Sequence, residues 1–120
     1  MPGGSAYSGP TEALALYTAV VERCASNVWV KGAKNPYTSR NGNMFSFLDA
    51  VGSMALRLSE ELRDEFLSRY DSGPVTQYGS VMRGYVAVPD DLLHSTDELA
   101  GWLDRSHDWI GSLPPKLTKK

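Results

Sequence analysis

The chain has 120 residues, 42% of them hydrophobic and 22% charged, with twelve Lys and Arg against fourteen Asp and Glu for a formal net charge of −2. That size suits one domain with one core, and the balance excludes a disordered chain. A slightly acidic total also argues against a domain whose affinity for nucleic acid rests on an overall basic surface.

The single cysteine, Cys24, leaves no intramolecular disulfide and no Cys cluster for zinc, and a reducing cytoplasm is the expected compartment. The opening MPGGSAYSGP lacks the basic start and apolar run of a signal peptide, and no stretch approaches a membrane span. Residues 1–10 are expected to form a flexible leader, 11–115 one domain, and 116–120 a basic tail.

Pro10 and Thr11 open a first helix, expected to run to about Cys24, because Leu14, Tyr17, Val20, Val21 and Cys24 recur at spacings of three and four. The segment NVWVKG (27–32) alternates as a strand does, with Gly32 ending it. Residues 33–42, AKNPYTSRNG, carry the turn signals Asn35-Pro36 and Asn41-Gly42 and are expected to form the longest loop. Strands over Met44–Leu48 and Met54–Leu58, joined by a turn at Asp49–Gly52, then lead into a helix that Ser59 caps and that runs to about Tyr70, burying Leu62 and Phe66.

Asp71-Ser72-Gly73-Pro74 stops that helix, and two further short strands fit VTQYG and GYVAV. After Pro89, Asp90–Leu93 makes one helical turn. Ser95-Thr96-Asp97-Glu98 reads as a capping box, and the last helix carries a stripe of Leu99, Trp102, Leu103, Ser106, Ile110 and Leu113 as far as Pro114-Pro115. The order α-β(3)-α-β(2)-α predicts a two-layer α+β fold, one antiparallel sheet with helices on one face.

No catalytic constellation emerges. Cys24 lies on an apolar stripe and reads as a core thiol, His94 as a surface residue, and His94 and His107 have neither HxxxH nor HExxH spacing. Glu60, Glu61, Asp64 and Glu65 most simply solvate a helix, and no phosphate-binding glycine motif occurs. No enzyme activity and no cofactor is therefore expected. The more informative feature is the sheet face opposite the helices. If Val28, Val30, Met54, Leu56, Leu58, Val86 and Val88 face the helices, then Trp29, Lys31, Ala55, Arg57, Tyr85 and Ala87 face the other way. Trp29, Arg57 and Tyr85 are thus the candidate surface for a homodimer or a regulatory protein partner. For the strand at Met44–Leu48 two buried sets stay open, Phe45 with Phe47 or Met44 with Leu48. A second possibility is a nucleic-acid contact through Lys31, Lys34 and Arg40 beside Trp29, and a third is a small-ligand pocket near Trp102 and Trp109.

The runs NGNMFSFLDAVGSMALRLSEELRDEFLSRY and QYGSVMRGYVAVPDDLL, followed by a helix ending in Ser-Leu-Pro-Pro, resemble the TfoX/Sxy N-terminal domain family in its short single-domain form. The resemblance spans about residues 11–115 and implies the same order of elements, in a two-layer fold also seen in secretion chaperones. It implies a non-enzymatic module with a regulatory setting, in transcription or competence. Many members carry a Met-Phe-Gly segment after the first strand, where this chain reads KGAKNPYTS.

Overall fold

A computed structural model describes residues 7–32, 34–77 and 79–114. In chain order it contains α1 (Thr11–Arg23), β1 (Tyr37–Arg40), β2 (Asn43–Leu48), β3 (Met54–Arg57), α2 (Glu60–Arg69), β4 (Pro74–Gln77), β5 (Ser80–Val88), α3 (Asp90–Leu93) and α4 (Thr96–Ile110). The strands form a single antiparallel sheet in the order β1-β2-β3-β5-β4. This is the expected α+β class with the expected succession of elements.

The helices form for the reasons their sequences suggest. Tyr17, Val20 and Val21 of α1 are fully buried, one side of a 3.6-residue period. In α2 the Ser59 hydroxyl accepts a hydrogen bond from the Leu62 amide at 3.2 Å, with Glu60 and Glu61 in the positive first turn. Phe66 is its buried anchor, while Leu67 is 42% exposed. The capping box at α4 does not form. Ser95 instead turns its hydroxyl back to the Asp91 carbonyl of the preceding turn at 3.3 Å. Of the expected leader, residues 1–6 lie outside the described residues; Tyr7 packs against the core and its hydroxyl donates to the Asp49 carbonyl. The basic tail lies outside the described residues.

The first strand required correction. Residues 27–32 are not a strand; their only ladder contact is an isolated bridge between Lys31 and Tyr37. The strand is Tyr37–Arg40, inside the segment expected to be a loop. Asn41 and Gly42 both take positive φ, 54° and 79°, so they form a two-residue hairpin turn, and such a turn obliges the residues before it to pair with those after it. Val28 and Val30 alternate for a different reason: both are half-buried against the main core as the chain passes from α1 to the sheet edge.

A bulge settles the two alternatives for β2. Thr38 pairs with Ser46 but Ser39 with Met44, so Phe45 is the extra residue. The inward phase shifts across it. Phe45, Ser46 and Leu48 are buried, while Met44 and Phe47 join a separate apolar cluster, so neither expected pair is the buried set.

All four helices contribute to one core, on the side of the sheet that carries Met54, Leu56, Leu58, Val86 and Val88. A cluster of three buried hydroxyls sits within it, Tyr17 bonded to Ser46 at 2.7 Å and Ser46 to Thr38, while the buried Ser106 hydroxyl donates to the Arg57 carbonyl at 2.6 Å. Between them the three satisfy one another, which is what makes their burial tolerable. Burial pushes the Tyr17 phenol above its ordinary range.

Candidate interaction groove and polar pocket

The opposite side of the sheet has a small apolar cluster of its own. Ala55, Val75 and Tyr85 are buried there, with Met44, Phe47, Met82 and Ala87 packed around them. Register explains the grouping: Phe47 pairs with Ala55, Ala55 with Ala87, and Arg57 with Tyr85, so these side chains share one face. The β4–β5 hairpin partly covers the cluster. Between the pairs Pro74–Val86 and Thr76–Val81 the register slips, with Gly84 at φ +86°, a conformation suited to glycine. Past that bend Met82 reaches Met44 and Phe47, the Tyr85 ring lies 5.5 Å from that of Phe47, and the Tyr85 hydroxyl donates to the Met44 carbonyl at 2.9 Å.

A groove of about 520 Å³ remains between the hairpin and β1–β2. Pro36, Tyr37, Met44, Phe47 and Met82 line it, with Asn35 and Asp49 at its polar margin. Val51, exposed by 77%, follows the lining residue Ala50 in the chain, and Val81, exposed by 62%, precedes Met82. On the far side of the hairpin a second groove of about 590 Å³ carries Arg63, Leu67, Val81 and Arg83.

The three expected interface residues do not act alike. Tyr85 sits on the expected face but is only 9% exposed, and burial raises its phenol to about 12. Arg57, in register with Tyr85, is half-buried and stacks its guanidinium over the Trp109 ring at 5.4 Å, so it ties β3 to α4. Trp29 is not on the sheet at all, since its segment is not a strand, and is 58% exposed. Met44, Phe47, Met82, Val51 and Val81, which line or flank these grooves, were not among the named candidate surface residues. The bulge at Phe45 and the bend at Gly84, which put the first three there, leave no periodic trace in the sequence.

Trp29 instead joins two of the cations named for nucleic acid. A polar pocket of about 300 Å³ is lined by Asn27, Trp29, Lys31, Ser39, Arg40 and His107, along with Val28 and Asn41. Lys31 Nζ donates to Ser39 Oγ at 2.8 Å and lies 5.6 Å from the centre of the Trp29 ring. Arg40 donates to the His107 carbonyl at 2.8 Å and contacts His107 Nδ1 at 3.2 Å. Lys34 is exposed and outside this lining.

Among the described residues no group of His, Cys, Asp and Glu could hold a metal ion. The Cys24 thiol donates to the Val20 and Ala100 carbonyls at 3.4 and 3.7 Å, and burial raises it to about 12, so it is a protonated packing group. Trp102 is buried, donates to the Tyr70 hydroxyl at 3.1 Å and has Arg69 and Arg105 against its ring; both it and Trp109 are already occupied by protein contacts. No described helix is long and apolar enough to cross a membrane. The chain matches no protein-family model, no curated protein and no solved structure.

Proposed function

We propose that this chain is a non-catalytic interaction module that docks a protein partner on the helix-free side of its sheet, and that the partner is a second copy of the chain. The observation that carries this reading is the groove bordered by Met44, Phe47 and Met82, with Val51 exposed next to its lining residue Ala50 and Val81 exposed in the second groove, which shares Met82 with it. Apolar knobs and an apolar hole lie next to each other on one surface. That is what a two-fold contact needs, since each copy then offers a knob to the other's hole. Methionine at the margin suits such a surface, because its unbranched side chain adapts to an incoming group.

The TfoX/Sxy likeness, which rests on the sequence runs from Asn41 to Tyr70 and from Gln77 to Leu93 and receives no support from the comparisons, adds a regulatory setting to this proposal. Light scattering across a concentration series tests the docking. The wild-type chain is expected to dimerise, and Val81→Asp with Met82→Glu is expected to yield a folded monomer. A chain that stays monomeric throughout would refute the reading.

A further inference from the structure

We infer that the polar pocket beside α4 binds a nucleotide unit, its base stacked on Trp29 and its phosphate held by Lys31 and Arg40. Three observations meet there. First, neither Lys31 nor Arg40 has a carboxylate within 4.0 Å among the described residues, whereas Arg23, Arg69 and Arg105 each do. Second, no carboxylate lines the pocket, so two cations share a concave, partly enclosed site in which an anion is attracted more strongly than on open surface. Third, the aromatic residue at the margin is exposed by 58% and already has the Lys31 ammonium at its ring, an arrangement that offers stacking and charge together.

Arg40 is held in place for this role. Its guanidinium is anchored on the last turn of α4 by the His107 carbonyl and lies against Gly111, where an added Cβ would meet its Nη2 at 2.8 Å. A guanidinium has five donors, and these contacts do not exhaust them. Partial burial, together with Arg40, holds the His107 imidazole below its usual range. The Asp108 and Asp104 carboxylates pull in the opposite direction, and the Phe45 ring lies 5.8 Å away. A phosphate beside Arg40 would offset that guanidinium's effect and let the imidazole titrate higher.

The test is an NMR titration of the full chain at low salt with adenosine monophosphate, inorganic phosphate and a short single-stranded oligothymidylate. The Trp29 indole N–H and the His107 ring protons report binding. Adenosine monophosphate is expected to shift both signals saturably. Trp29→Ala and Lys31→Gln should each weaken it on the order of tenfold, and phosphate alone should bind more weakly. Gly111→Ala supplies a further variant. The backbone there has φ −65°, which alanine adopts, so the chain folds while Arg40 is displaced and binding falls. Tighter, steeply salt-dependent binding of the oligonucleotide would identify a strand as the source of the unit, and tighter binding of the monophosphate a free nucleotide. No shift with either ligand, shifts unchanged in both Trp29→Ala and Lys31→Gln, or phosphate binding as tightly as the nucleotide would overturn the inference.

Discussion

The two faces of the sheet are built from the same five strands, yet they hold apolar side chains in different ways. On the helix-covered side Met54, Leu56, Leu58 and Phe45 are at most 1% exposed, under helices that contribute Tyr17, Phe66, Leu103 and Ile110. On the other side the sheet covers itself, through a bent hairpin that buries Ala55, Val75 and Tyr85 but leaves Met44, Phe47 and Met82 half-buried. The difference teaches that the second cluster is a surface with a structural base. Its centre is fixed by the Tyr85 hydroxyl bond and the Phe47–Tyr85 contact, and its margin is free to meet another molecule.

Substitutions on the two faces should therefore separate stability from association. The largest loss of stability is expected for Phe66→Ala, which removes a fully buried ring packed 5.1 Å from Trp102 and 4.7 Å from Tyr70. Denaturant unfolding should show a loss of about 3–5 kcal/mol. Ser46→Ala comes next. It strips the shared partner from the buried Tyr17 and Thr38 hydroxyls, and a loss of about 1–3 kcal/mol is expected. If Ser46→Ala proved neutral, the hydroxyl cluster would be incidental to the core.

On the helix-free face, Val81→Asp should change unfolding free energy by less than about 0.5 kcal/mol, because the side chain it replaces is 62% exposed. A larger loss would mean that the hairpin tip belongs to the core. The smallest effect is a pH dependence. His107 has a depressed pKa, so the folded state resists its protonation. Its contribution to stability is complete above the unfolded value of about 6.5 and is lost as pH falls through the lower folded value. His94 has the opposite sign, raised by its bond to the Asp90 carbonyl and by Glu12: its contribution is complete below the unfolded value of about 6.5 and is lost as pH rises through the higher folded value. Thermal melts of His94→Asn should therefore lack the gain that the wild type makes as pH falls toward about 6.5 from above.

Most of the architecture was legible in the sequence, because long helices and the strand of alternating residues at Met54–Arg57 declare their period directly. What was not legible arises where the period breaks. The Asn41-Gly42 turn was visible, but the polar Tyr37–Arg40 ahead of it carries no apolar alternation, while Val28 and Val30 imitate a strand by packing at the core's edge. The candidate surface suffered from the same cause. Tyr85 was correctly phased as outward-facing, yet the bend at Gly84 folds the hairpin over it and passes the exposed role to Val81. The cations Lys31 and Arg40 were legible as a group with Trp29, but nothing in the sequence announced His107, which α4 brings to them from the other end of the chain.

The most direct test of the helix-free face is light scattering of the wild type and of Val81→Asp with Met82→Glu, run side by side with their thermal melts. The account predicts a wild-type dimer and a variant monomer of nearly unchanged melting temperature. A wild type that is monomeric at every concentration, or a dimer that the two substitutions leave intact, would contradict it.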